Sequence, residues 1–251
     1  MQLRYRIFLF LAHYPKIYIP YTCWRDDLSG RGTFGGELIN NNTEIIIDGF
    51  PRSANSFAVA AFDLAQNKGV KIAHHRHDPA QVIAAVKSRV PAVVLVRNPR
   101  DAVISLVIRN YSNYSAYASN TTILKKYLTK YVDYYEPLEF FKNDIIFAEF
   151  ETVTKDFNCI ISAINKKFST SFNNFIHDQQ NVDQCFEEID NFSRKFKFEG
   201  ERQVFETAVS RPSDQRKEFK KQLIDDFQIP ENIGLYSKAG KIYEKIKSYS
   251  I

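Results

Sequence analysis

Short apolar runs alternate with amphipathic stretches over most of the chain. Residues 44–48, Glu-Ile-Ile-Ile-Asp, are β-branched and bounded by turn residues, which predicts a buried strand. Residues 70–73 predict a second strand, 92–96 (Ala-Val-Val-Leu-Val) a third that is apolar throughout, and 144–150 a fourth. Helical patterns occupy 55–66, 79–87, about 99–109 and 124–135. At the third of these, Asn98 is placed to cap, Pro99 suits the first helical position and Asp101 can reach back from the first turn. Further helices are predicted at 157–168, 214–227 and 235–247. The stretch 169–200, rich in Phe and Asn without a clear period, predicts loops or short helices covering a cleft. Strands alternating with helices are the signature of an α/β fold, a central parallel sheet flanked by helices. The expected division is a lead-in segment over 1–42, ending in a Gly-rich and then Asn-rich stretch, and an α/β domain over 43–251.

Composition narrows the partners without choosing one. With 251 residues, 44% hydrophobic and 25% charged, the chain is globular and has ample length for a core. A net charge of +5 is too small to imply nucleic-acid coating but suits small anionic ligands. Cys23, Cys159 and Cys185 form no C-x-x-C pair, which argues against a zinc knuckle or a disulfide scaffold and for a reduced, cytoplasmic setting. The apolar run 7–12 is too short to span a bilayer, so no transmembrane segment is expected. A membrane-surface role for the N-terminal segment is a minor alternative.

The chemistry concentrates where strands hand over to helices. Gly49-Phe50-Pro51-Arg52-Ser53-Ala54-Asn55-Ser56 follows the first predicted strand and opens a helix, the setting in which backbone N–H groups cradle phosphate. Against G-x-x-x-x-G-K-S/T, Gly49 and Ser56 match, Ala54 sits at the second glycine and Asn55 replaces the lysine. Grip on a nucleoside triphosphate therefore lacks its usual cation, while Arg52 supplies one elsewhere in this P-loop-type turn. Ala54 is costly if that residue needs positive φ. An ordinary polar βα turn fits the loop pattern alone. The second motif, Arg97-Asn98-Pro99-Arg100-Asp101 with Ser105, leaves the carboxyl end of the third strand, where ligands of open α/β sheets bind, so Arg97 and Ser105 can hold a second anion.

Together these two motifs resemble the sulfotransferases that use 3′-phosphoadenosine 5′-phosphosulfate (PAPS), and most nearly the short bacterial-type ones with a P-R-S loop. The resemblance is firm over 43–101 and fair through the Phe150-Glu151 pair. It implies that Arg52, Ser53, Ala54, Asn55, Ser56 and Phe57 hold the 5′-phosphosulfate, and that Arg97 and Ser105 hold the 3′-phosphate. Phe150 stands at the family's tyrosine near the adenine. Arg211, Arg216 and Lys217 lie in a segment similar to the basic one that closes over the cofactor; a solvated cationic helix start explains any one of them equally well.

Ala73-His74-His75-Arg76-His77-Asp78 lies between the motifs, where many family members carry a general-base histidine. The register makes His75 the first candidate and His77 the runner-up, on the expectation that an extended segment turns both to one side. Catalysis is thus expected from His75, Arg52 and His77. A metal site at His75, His77 and Asp78 is disfavoured by the lack of further ligands at suitable spacing. The implied reaction is sulfuryl transfer from PAPS, releasing PAP, to a hydroxyl or, second, an amine, with a carbohydrate or glycan precursor as expected acceptor, and without a required metal. A non-catalytic PAP-binding relative and a P-loop kinase or NTPase are the rivals.

Overall fold

The computed structural model describes residues 14–29, 37–67, 69–111, 114–118, 122–195 and 214–251. Four strands, β1 (Ile45–Gly49), β2 (Ile72–His74), β3 (Ala92–Val96) and β4 (Ile146–Glu149), pair in parallel in the order β2-β1-β3-β4. Every residue of β1 and β3 is buried, because helices cover both faces of the sheet. The two-residue period sends Ile46, Val94 and Phe147 into one core and Ile45, Ile47, Val93, Leu95, Ile146 and Ala148 into the other. The α/β fold with a central parallel sheet is therefore as the sequence predicts.

Helices α1 (Pro15–Ser29), α2 (Asn55–Ala65), α3 (Pro79–Lys87), α4 (Pro99–Asn110), α5 (Tyr114–Ala118) and α6 (Thr122–Tyr135) precede β4, the last followed by a 3-10 turn (Glu136–Phe141). Helices α7 (Phe150–Lys155), α8 (Phe157–Phe168), α9 (Gln179–Lys195), α10 (Asp214–Asp226) and α11 (Pro230–Lys247) follow it. The first core packs α3, α4, α6, α10 and α11 on the sheet; the second packs α2, α8 and α9. Because β1 has β2 on one side and β3 on the other, the chain reverses its winding between β1 and β3. Loops leaving the carboxyl ends of those two strands face each other across a crevice, the general ligand position in open parallel sheets.

Several boundaries differ from the sequence pattern. Residues 179–195 form one 17-residue helix rather than loops or short helices, packing Cys185 and half-buried Val182 and Ile189 on the α2 side. Strand β4 stops at Glu149, which takes the extended N-cap conformation, so Phe150 is helical and not part of the strand. Strand β2 is displaced to 72–74, and α11 begins at Pro230, whose fixed φ suits the first helical turn. Asn98 caps α4 as expected, its side chain accepting from the N–H of Arg100 at 3.0 Å. Asp101 does not reach back; its carboxylate meets Lys220 of α10 at 3.3 Å.

Residues within the lead-in stretch are tied to this body. Tyr18 of α1 is buried against α3 and donates its hydroxyl to Asp78, while Glu37 bridges to His74 at the exposed side of β2. On α6, Tyr131 and Tyr135 stand one turn apart and donate to the carbonyls of Arg97 (2.8 Å) and Leu95 (2.7 Å). The Tyr135 hydroxyl also accepts from the N–H of Phe50 at 3.2 Å. Two buried phenols thus fasten the ends of both site-bearing strands to one helix.

Candidate functional site

Gly49 ends β1 where no side chain fits: a Cβ there would stand 2.4 Å from the carbonyl oxygen of Leu95 on β3. That close approach brings the β1 loop against the end of β3. The loop then turns through two left-handed residues, Arg52 (φ 74°) and Ala54 (φ 67°), and α2 begins with Ala54 as its N-cap. An alanine has no oxygen to offer the first-turn N–H groups of α2, which stay directed at the crevice. The left-handed conformation is the cost anticipated for alanine at the glycine position. Relieving about 1–2 kcal/mol of Cβ strain against the smaller entropy penalty of glycine, Ala54→Gly is expected to raise stability by roughly 0.5–1 kcal/mol. A urea midpoint that falls instead would contradict the assigned backbone.

The side chains divide between bracing and lining. Asn55, at the P-loop lysine position, donates its amide to the carbonyl of Phe50 at 3.0 Å and closes the turn. Ser53 is fully buried beneath the loop, with its N–H donating to the carbonyl of Phe50 at 3.2 Å, and does not line the cavity. A cavity of about 380 Å³ opens above, bounded by Arg52, Ala54, Asn55, Ser56 and Phe57 on one side and by Arg97, Ser105 and Phe150 on another. Arg52 donates from Nε to the hydroxyl of Ser105 at 2.9 Å. Arg97 donates from Nη1 to the carbonyl of Arg52 at 2.9 Å, and its guanidinium lies 4.0 Å above the Phe150 ring. The sequence pairs Ser105 with Arg97; in the structure its hydroxyl bonds Arg52, and all three residues share the cavity.

Residues 75 and 77 are left-handed (φ 57° and 55°), so the segment is not extended as the alternation argument supposes. Both rings nevertheless reach the cavity, 5.8 Å apart. Arg52, Ala54, His75 and His77 are four of the seven described non-glycine residues with positive φ, so backbone strain gathers at these two loops.

The two histidines are held differently. For His75, Nδ1 contacts His74 Nδ1 at 2.7 Å and Nε2 contacts the Ser56 hydroxyl at 3.1 Å, so both ring nitrogens are occupied within the protein. For His77, Nδ1 lies 2.7 Å from the carbonyl oxygen of Gly49 and 3.1 Å from Asp48 Oδ1. A carbonyl only accepts, so the His77 proton sits on Nδ1 and the neutral ring keeps its lone pair on Nε2. Asp48 is wholly buried at the end of β1 and accepts from the backbone N–H groups of Gly49 (2.9 Å), Arg76 (3.2 Å) and His77 (2.9 Å). Burial alone would raise its pKa; the His77 imidazole and these donors outweigh it and hold the carboxyl below the usual range.

Burial, with His74 and His77 close by, pushes His75 down to about 3, and burial lowers His74 as well. A histidine neutral in the folded state but protonated when unfolded makes stability rise with pH. The contribution is complete above the unfolded value near 6.5 and is lost as pH falls below it. Stability is therefore expected to fall between pH 6.5 and 4.5 by up to about 1.4 kcal/mol per pH unit through His75, with His74 acting in the same direction. Urea midpoints across that range check this, and His75→Gln should flatten the limb.

Several contributors escape the motif reading. Arg109 stands one turn beyond Ser105 on α4 and lines the same cavity, a spacing visible in the sequence. Val182, Phe186 and Ile189 of α9 form the apolar wall, on an i, i+4, i+7 stripe that was also readable. Asp48 carries no signal beyond its place at a strand end. Lys217 is exposed on α10 and does not line the cavity; Arg211 and the side chain of Arg216 lie outside what is described. Asp78 turns to Tyr18, away from the histidines, and among the described residues no three His, Cys, Asp or Glu side chains gather at metal-holding spacing.

No family model matches this chain, and no curated protein does. Among solved structures, the chain is similar to mouse sulfotransferase SULT7A1 complexed with PAP. The two share 12% identity over 85% of this chain and 91% of the other, with a TM-score of 0.45.

Proposed function

We propose that the protein transfers a sulfuryl group from PAPS to an acceptor hydroxyl. The observation that carries this reading is the pairing, across one cavity, of an uncapped phosphate-type loop bearing Arg52 with a histidine whose Nδ1 is committed to Asp48 and Gly49. The second motif, Arg97 with Ser105, borders the same space.

In the reaction, the acceptor oxygen forms a bond to sulfur while the bond from sulfur to the 5′-phosphate oxygen breaks. PAP leaves with that electron pair, and the acceptor proton passes to His77 Nε2. His77 takes this role rather than His75, because both nitrogens of His75 already hold partners. Asp48 fixes the tautomer and steadies the imidazolium that forms. Arg52 and the first-turn N–H groups of α2 stabilise the departing phosphate, with Ser56 beside them and with Ser53 and Asn55 keeping the loop in shape. Arg97, with Ser105 and Arg109, offers cationic and hydroxyl partners to the 3′-phosphate, and Phe150 offers a ring to the adenine. No step calls for a metal.

For the acceptor we favour a carbohydrate or glycan precursor. Phe57 and Phe186, with ring centroids 5.9 Å apart on the cavity wall, suit the apolar face of a sugar ring. Arg211, Arg216 and Lys217 remain candidates for closing over the nucleotide, and a cytoplasmic site of action fits the unpaired cysteines.

Calorimetry with PAP, adenosine 5′-phosphosulfate and ATP, with and without magnesium, tests the nucleotide assignment. PAP is expected to bind without metal and more tightly than either of the others. Tightest binding of ATP with magnesium would replace this reading with a kinase or NTPase.

A further inference from the structure

The cavity has two chemically different ends. Among the described residues, its arginine and histidine side chains come from the loops after β1, β2 and β3 and from α4, whereas α7 and α9 contribute Phe150, Val182, Phe186, Ile189 and Thr154. Thr154 is thus the one polar group those two helices add to an apolar wall, one helical turn beyond Phe150. Anionic groups of a ligand belong at the first end. A flat heteroaromatic base belongs at the second, where a single placed polar group sets its orientation.

The hydroxyl of Thr154 is committed in one direction. Oγ1 donates to the carbonyl of Phe150 at 2.9 Å, and the carbonyl oxygen of Glu151 lies 3.3 Å away. A carbonyl only accepts, so the proton stays within α7 and the Thr154 oxygen has only lone pairs to offer a ligand. Ser105 is the reverse case: its oxygen accepts from Arg52 Nε and keeps its proton for an anion. An oxygen that can only accept repels a phosphate and suits an N–H donor on the rim of a base. We infer that Thr154 selects adenine by accepting a hydrogen bond from its exocyclic amine, an inference that rests on the PAPS reading above. Guanine and hypoxanthine carry a carbonyl oxygen at that position and would set lone pair against lone pair.

Calorimetry on the full chain compares PAP with purine riboside 3′,5′-bisphosphate, which has hydrogen in place of the amine. The wild-type chain is expected to bind PAP roughly tenfold more tightly, the scale of one neutral hydrogen bond. Thr154→Val keeps the shape and loses the oxygen. It should bring the two ligands within about twofold of each other by weakening PAP alone. Thr154→Ser restores the acceptor and should keep the preference, and circular dichroism checks that both variants fold. An undiminished preference in Thr154→Val, or equal binding of the two ligands by the wild-type chain, would overturn the inference while leaving PAP binding intact. A chain that binds neither bisphosphate would remove the PAPS reading and this inference with it.

Discussion

His77→Ala is expected to lower kcat for sulfuryl transfer by roughly 10²- to 10⁴-fold, with little change in PAP affinity, because the base acts on the acceptor and not on the nucleotide. The expectation rests on the hydrogen-bond inventory of the two cavity histidines: only His77 has a nitrogen left for the acceptor once the protein contacts are made. His75→Ala should cost far less. Single-turnover transfer with both variants, alongside PAP titration as a folding control, separates them. Collapse in His75→Ala with near wild-type turnover in His77→Ala would return the base to the first-ranked register. Asp48→Asn is a subtler probe of the same arrangement. An amide can still fill the site beneath His77, but it lets the ring take the other tautomer, so the rate should fall while the KM for PAPS holds.

Arg52→Ala is expected to remove roughly 10²- to 10³-fold in kcat, the usual scale for losing one preorganised donor at a developing anion, and also to weaken PAP. Arg52 lies on a loop in left-handed backbone, with Nε tied to Ser105, so its guanidinium is held in place before a ligand arrives. Arg52→Lys should recover only part of the rate, since a lysine cannot bond Ser105 and face the phosphate with one planar group. If Arg52→Ala raised KM alone and left kcat untouched, the arginine would be a uniform binder and the leaving-group role would be lost.

What the sequence made readable follows a physical divide. The β1 and β3 strands announce themselves because both of their faces are buried, which makes them continuous apolar runs. Residues 52–57 and 97–105 are legible because a strand-to-helix turn with a cation is a local feature. Long-range pairings are not local. No spacing rule says that Asp48 lies under His77, or that Arg52 bonds Ser105 fifty-three residues away. The reading of 75 and 77 reached a correct juxtaposition by a wrong route: alternation along an extended strand does not apply to residues at φ 57° and 55°, and their convergence comes from a tight, strained turn. Over 179–195 the helical period is masked in the sequence. Asparagines and charges on the outer face hid an amphipathic stripe that Val182, Cys185, Phe186 and Ile189 carry at helical spacing.

The measurement that bears most directly on the central claim is single-turnover transfer of radiolabelled sulfate from PAPS by the wild-type chain, in the presence of a chelator. The acceptors are a panel of sugars and phenols and a small-molecule extract. The account predicts label moving to a hydroxyl-bearing acceptor with stoichiometric release of PAP, and loss of that transfer in His77→Ala. Tight binding of PAP with no label transferred to any acceptor would contradict it and leave a nucleotide-binding relative without catalysis.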